Sequence, residues 1–339
     1  MRLAQPRTRP RKWFRSNEVP IIVVLLAVVL FVLKTILQGN GLTAFAITSS
    51  VDSSLAVGIA AMGETLVILT GGFDLSVGGV LSFLNVVLAT HLSASLGSES
   101  VGVVGILALG AALGLVNGAL VVWVRLQPII ATLATSFVWA GCALLVLPQP
   151  GGNVPFSFVS ALTGDMLQVI PSALVIMAVA IALWFVIVGH RVGTRIYAIG
   201  NDREAAHANG VPVRSTLLVT YGLAGLYYGL SATFLTAQTA GGDPNIGAPL
   251  LLTVFAAVAV GGVTFGGGQG TAIGSLLAGF VLELIDEVLF VLGVSSFYTD
   301  ILEGLVLLAA VVIMAAGRLM HRRRLEESAV DAVRAEGSA

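Results

Sequence analysis

Charge is the first thing this chain lacks. Asp, Glu, Lys and Arg together make up 10% of its 339 residues, against about a quarter in an ordinary soluble domain. So little charge cannot cover the surface of a water-soluble protein of this length. With 57% hydrophobic residues and a mean hydropathy of +0.98, the composition is that of a multi-span helical membrane protein. Lysine is scarcer still, with only Lys12 and Lys34. Neither follows glycine in the G-x-x-x-x-G-K-[ST] pattern that cradles phosphates, so the energy for any active process must come from elsewhere. The single cysteine, Cys142, excludes an intrachain disulfide. His91, His190, His207 and His321 are scattered without H-E-x-x-H spacing, so a membrane metalloprotease has no support and no metal site is expected. A nucleophile or acid–base constellation is likewise missing, and a nucleic-acid partner is not expected.

What the chain has instead is glycine and long apolar runs. Its 40 glycines suit helices that approach closely in a membrane. Windows long enough to cross a bilayer fall at 20–38, 51–70, 77–96, 101–124, 127–147, 168–188, 214–238, 247–265, 270–292 and 298–317. Basic residues in short connections set orientation. They comprise Arg2, Arg7, Arg9, Arg11, Lys12 and Arg15, then Arg125, then His190, Arg191, Arg195, Arg203 and Arg214, and finally Arg318, His321, Arg322, Arg323 and Arg324. An even count of spans with both termini cytoplasmic puts all of them on one side; an odd count does not. The expectation is an all-α polytopic membrane protein with about ten transmembrane helices. Residues 1–19 form a basic cytoplasmic N-terminus, 20–317 the transmembrane domain with an inner loop at 189–213, and 318–339 a cytoplasmic tail. Ala44, Phe45 and Ala46 supply an A-x-A cleavage pattern. The run at 20–38 nevertheless has the length of a span rather than the ~7–15 residues of a signal core, so an uncleaved first span is expected.

Lys34, near the outer end of the first window, is expected to snorkel to the interface, and Glu283, Asp286 and Glu287 to sit in a solvated interface at the outer end of the ninth. The outer connections 148–166 and 239–246, rich in Gly, Pro, Asn, Ser and Asp, read as solvated loops.

Two glycine breaks organise the rest. At Gly71 and Gly72 an apolar run stops, Asp74 and Ser76 follow as candidate caps for the next helix, and a new apolar run begins. A carboxylate there must face protein or a water-filled path. Gly261 and Gly262 make a similar interruption, and transporters built from repeats carry broken helices at corresponding places. In the inner loop, Asn201 is suited to an N-cap with Glu204 three residues on as a capping box, Gly210 to the C′ position, and Pro212 to stopping the helix. The resulting helix of about eight residues, roughly 12 Å, is too short to persist alone. It must pack on this protein's own inner surface or on a partner.

These stretches resemble a known family. Residues 63–78 are similar to G-x-T-x-V-I-x-x-G-G-I-D-L-S-V-G, the signature of the permease subunits of bacterial ABC importers for sugars, the ribose-permease group, with Phe73 the one aliphatic-to-aromatic departure. The inner loop resembles G-R-x-x-Y-A-I-G-x-N-x-x-A-A-x-x-x-G-I, with Arg195 displaced by Thr194. Gly114–Gly118, Pro128–Thr135 and Gly261–Gly270 match further family-like runs in the same order. The resemblance implies an inner-membrane, multi-pass subunit in contact with membrane lipid that binds no cofactor itself. A separate ATPase uses ATP and docks on Arg195, Tyr197, Asn201, Glu204, Ala205, Ala206 and Gly210, a periplasmic solute-binding protein delivers substrate, and a second permease copy, identical or paralogous, completes the pathway. For a sugar, Asp74, Ser76, Asn85, Asn117, Thr132 and Thr135 are the candidate pathway residues, because hydroxyl and amide groups exchange hydrogen bonds with a sugar at low desolvation cost. Trp139 and Phe137 could stack on a sugar face, and interhelical packing is the alternative use of each residue. A nucleoside or autoinducer as substrate stays open, as does a different class of protein, a proton-coupled secondary transporter relaying through Glu64 and Asp74.

Overall fold

Glycine and proline punctuation divides the apolar sequence into twelve helices among the described residues of a computed structural model, which cover 18–39, 43–166, 170–294 and scattered positions between 298 and 312. They are α1 (Glu18–Gln38), α2 (Ala44–Leu69), α3 (Val77–His91), α4 (Leu96–Val122), α5 (Pro128–Val146), α6 (Phe156–Thr163), α7 (Ser172–Gly189), α8 (Arg191–Asn201), α9 (Arg203–Ala208), α10 (Val213–Thr239), α11 (Gly247–Val260) and α12 (Ala272–Val291). A two-residue antiparallel hairpin, β1 (Asp165–Met166) with β2 (Ile170–Pro171), links α6 to α7.

The protein is an all-helical, polytopic membrane protein. Helices α1, α2, α4, α5, α7 and α10 are long and apolar enough to cross a bilayer, and α12 fills the ninth window with 20 residues. Two expected full spans are corrected. Helices α3 and α11 have 15 and 14 residues, about 22 and 21 Å, short of the ~30 Å hydrocarbon core. Each abuts one of the glycine breaks. The tenth window, the basic residues before Glu18 and the basic tail lie wholly or mostly outside the described residues.

Two helices form the centre. Of the apolar windows, 83% of α2 and 72% of α10 is buried, against 22% of α1 and of α5. Close approach of α10 to α4 follows from glycine spacing: Gly110, Gly114 and Gly118 recur every fourth residue on α4, Gly110 and Gly114 against Gly225 and Gly229 of α10 and Gly118 against Leu218 and Tyr221. A Cβ on Gly114 would strike the Tyr221 carbonyl oxygen, and one on Gly225 the Gly110 carbonyl oxygen. Four threonines of this buried helix bond within it: Thr216, Thr220, Thr233 and Thr236 each donate to the carbonyl four residues earlier.

Lys34 does not snorkel. Only 4% exposed, its Nζ lies 2.7 Å from Glu287 Oε2 and donates to Ser50 Oγ at 2.7 Å. Ser50 and Ser53 hydroxyls also donate to the Glu287 carboxylate, at 3.1 and 3.0 Å. This cluster fastens α1 to α2 and α12, and it takes Glu287 out of the solvated interface expected for it. Lys34→Met is expected to cost roughly 1–3 kcal/mol, because the Glu287 carboxylate loses its cation and, at 20% exposure, is only partly compensated by water. Adding Glu287→Gln should recover most of that loss, and thermal midpoints of the detergent-solubilised variants measure both.

The connection 148–166 is likewise not all loop. Helix α6 forms within it and buries Phe158. The strand-like pairing of Gly151 with Gly242, N–H to carbonyl in both directions at 2.9 and 2.7 Å, joins it to the second connection.

Candidate functional site: two helix breaks and the segment beneath them

Both breaks are built the same way. Helix α2 ends with Gly71 in the left-handed region at φ +77°; Gly71 N–H donates to Ile68 O and Gly72 N–H to Val67 O, at 2.9 and 3.2 Å. Helix α11 ends with Gly262 at φ +80°, with Gly262 N–H donating to Ala259 O and Val263 N–H to Val258 O at 3.1 and 3.2 Å. Paired bonds of this kind satisfy carbonyls that a helix end otherwise orphans. The equivalent glycines are therefore Gly71 and Gly262, each the second helix-ending position, rather than the two doublets in register.

Past the first break, neither expected side-chain cap forms on α3: Ser76 occupies the N-cap position and Asp74 holds the turn before it. The Ser76 side chain makes no cap bond to α3. Instead Asp74 Oδ1 accepts from Ser76 N–H at 3.0 Å and from Ser76 Oγ at 2.5 Å, a local turn suited to a short carboxylate side chain. Asn117 Nδ2 of α4 donates to Ser76 Oγ at 2.6 Å and to Asp74 Oδ1 at 3.2 Å. Thr135 of α5 donates to Asn117 Oδ1 at 2.7 Å. Thr132 accepts from Leu75 N–H at 2.9 Å while donating to Pro128 O at 2.8 Å. From the other side, Glu64 Oε1 accepts from Asp74 N–H at 3.1 Å, and Glu64 Oε2 accepts from the Tyr228 hydroxyl at 2.8 Å. Tyr221 donates to Phe73 O at 3.2 Å. Asp74 Oδ2 is buried with no hydrogen-bond partner among the described residues.

Five of the six candidate pathway residues, Asp74, Ser76, Asn117, Thr132 and Thr135, thus meet in one buried network that ties α2, α3, α4, α5 and α10 together. Asn85 stands apart, further along α3. Its Nδ2 donates to Thr236 Oγ1 and Gly241 O at 2.8 and 3.1 Å, and its Oδ1 accepts from Asp243 N–H at 2.7 Å, so it pins the connection 239–246. Trp139 stacks on Phe83, ring centroids 6.0 Å apart, whereas Phe137 is 72% exposed; the two do not share a site. Sequence reasoning missed Tyr221 and Tyr228 as members of the network. Three tyrosines inside a glycine-rich apolar helix were the available signal.

The segment 191–210 corrects two expectations and sorts the others. Asn201 is not an N-cap but the last residue of α8, and its amide donates to Tyr197 O at 2.8 Å and Gly268 O at 3.4 Å. Asp202 caps α9 instead, its Oδ1 accepting from Ala205 N–H at 2.9 Å, which shortens the helix to six residues and moves Glu204 out of the capping-box position. Gly210 does end the turn, at φ +81°. Glu204, Ala205 and Gly210 are exposed, while Ala206 packs inward against Val122, Ile199, Val213 and Leu217. Arg195 is half-buried. The Tyr197 hydroxyl donates to Gly270 O at 2.8 Å, and burial pushes its phenol up to about 12.

The profile of the family described as the branched-chain amino acid transport system / permease component matches residues 46–311, a stretch that includes both breaks and the inner segment. The chain belongs to this permease family. Among its relatives, the permease is 32% identical over 309 residues to the ribose import permease of Escherichia coli (strain K12), covering 89% of this chain and 94% of that one. It is 30% identical over 264 residues to the D-allose transport system permease of the same strain, 78% and 81% of the two chains. With the fructose import permease of Bifidobacterium longum (strain NCC 2705) it shares 32% identity over 328 residues, 91% and 94%. The resemblance read from the motifs is thus the one its relatives carry. No solved structure matches the chain.

Proposed function

We propose that this permease is the membrane-spanning subunit of an ATP-driven importer for a sugar, in the bacterial inner membrane. The observation that carries the reading is the division of labour in the inner segment. Helix α9 presents Glu204 and Ala205 outward on a turn too short to be stable alone, while its other face and α8 are bonded to the body of the protein. That is the form of a handle for another protein. The handle's partner is an ATPase subunit that uses the ATP. The basic residues around α8 and α9, with Arg125 and the basic termini, assign that side of the permease to the cytoplasm. The joined connections around Gly151 and Gly242 then face the periplasm, where a solute-binding protein delivers substrate. A second copy, identical or paralogous, completes the pathway.

The names of the relatives, permeases for ribose, D-allose and fructose, point to a monosaccharide. Within this pathway Asp74, Ser76, Asn117, Thr132 and Thr135 keep the α2–α3 break closed around itself, and its rearrangement opens the route. A docked ATPase can drive that change only by contacting the two states differently.

Vesicles containing the permease with and without a cognate ATPase test the reading, with ribose, D-allose and fructose as probes. Uptake of one of them that requires the ATPase is expected. Uptake without the ATPase that collapses with the proton gradient favours the second reading, a secondary transporter, for which the contact between Glu64 and Asp74 is the one supporting observation. Glu204→Arg is expected to abolish co-purification of the ATPase and ATP-dependent uptake, by reversing an exposed charge at the centre of the handle. Its membrane insertion should be unchanged, and normal uptake would refute the docking assignment.

A further inference from the structure

Beneath α9 three backbones meet with almost no side chain between them. The first is α8 at Gly200, the second the end of α2 at Leu69–Gly71, and the third the loop after α11 at Gly267–Gly268. A Cβ on Gly200 would strike Leu69 O and Gly268 N. One on Gly267 would lie 2.8 Å from Gly71 N and 2.9 Å from Gly200 Cα. One on Gly268 would lie 2.8 Å from Asn201 N. Gly267 and Gly268 have φ of +84° and +73°, which L side chains rarely adopt. Gly268 N–H donates to Leu69 O at 2.9 Å, so the second break caps the helix that leads into the first.

Helices α8 and α9 are joined without a spare residue, Asn201 ending one and Asp202 capping the other. Ala206 and Ile199 pack in one cluster, which makes the two helices a single lever. Two side chains then bind the lever to the glycine loop: Tyr197 to Gly270 O at 2.8 Å and Asn201 to Gly268 O at 3.4 Å. From that loop the Leu69 carbonyl is one bond away, and Asp74 follows five residues later. The geometry points to a coupling joint: we propose that Gly200 and Tyr197 are positioning residues through which movement of the α8–α9 lever reaches both helix breaks at once. This rests on the reading that an ATPase grips α9. Backbone-to-backbone contact suits such a joint, because no rotamer change can absorb the displacement before it is passed on.

Hydrogen exchange of the purified permease–ATPase complex, with and without ATP, tests the joint without needing the transported solute. In the unsubstituted complex ATP is expected to change exchange across 69–76 and 261–270 together, by at least about fivefold, the lower end of ordinary coupling between sites. In Gly200→Ala this response should vanish at both segments while the ATPase stays bound and hydrolyses ATP. Tyr197→Phe, which removes only a hydroxyl, should weaken it, and that variant carries the test if Gly200→Ala does not assemble. A full response at both breaks in the assembled variants overturns the joint and leaves docking intact. An unsubstituted complex whose breaks ignore ATP also overturns the joint, and failure of the unsubstituted chain to hold the ATPase overturns the docking reading together with it.

Discussion

Gly114→Val is expected to abolish accumulation of folded permease in the membrane. The new Cβ would meet the Tyr221 carbonyl oxygen and lie 2.9 Å from the Tyr221 carbonyl carbon, so the obstacle is backbone and no side chain can swing aside. Helix α10 cannot retreat to make room either. The helix is also held at Gly225, against the Gly110 carbonyl oxygen, and about one turn to either side of it Tyr221 and Tyr228 hold the α2–α3 break through Phe73 O and Glu64. Overpacking that displaces only side chains costs about 1–3 kcal/mol. Parting α4 from the central α10 should exceed that and approach the ~5–15 kcal/mol by which folded proteins are stable at all. Gly105→Val on the same helix is the control, because a Cβ there meets nothing within 4 Å. Its yield and size-exclusion profile should match the unsubstituted protein, whereas Gly114→Val should give aggregate or no protein. Equal yields of monodisperse material from both would refute close α4–α10 packing.

That crossing also shows where the sequence stops being readable. Apolar runs and glycine punctuation locate helices because they are local signals, and nine of the ten windows correspond to helices among the described residues. The four-residue spacing of Gly110, Gly114 and Gly118 announces that α4 is approached closely, but not by which helix. Lys34 and Glu287 are 253 positions apart, and only the topology that sets α1 beside α12 converts two separate interface residues into one ion pair with a buried lysine. Asn201 and Asp202 are both good caps by type. The choice fell to Asp202 because the Asn201 amide is drawn to Gly268 O, a contact with no local trace. For the site, residue chemistry selected five members of a real cluster. What it could not show is that each would spend its hydrogen bonds on another, so that the cluster holds a break shut instead of lining an open path.

The strength of that closure sets the second large effect. Asp74→Ala would orphan three donors at once, the Ser76 N–H, the Ser76 hydroxyl and one N–H of Asn117, and the Asn117 amide nitrogen would keep only its bond to Ser76. Each buried donor left without an acceptor costs roughly 1–3 kcal/mol, so a loss above about 3 kcal/mol is expected, together with loss of ATP-dependent uptake. Thermal midpoints in detergent and uptake in vesicles measure the two. Asp74→Asn separates the causes. Its Oδ1 can accept all three bonds, and its Nδ2 replaces Oδ2, which has no partner to lose, so stability should fall by only about 1–2 kcal/mol. Uptake that survives in Asp74→Asn and fails in Asp74→Ala identifies a neutral hydrogen-bonded clasp, as an ATP-driven gate requires. Uptake lost in Asp74→Asn with the fold intact would mean that the carboxylate itself carries charge or a proton during transport, and the energy source would then have to be sought in the bilayer half of the protein, beside Glu64, rather than at α9.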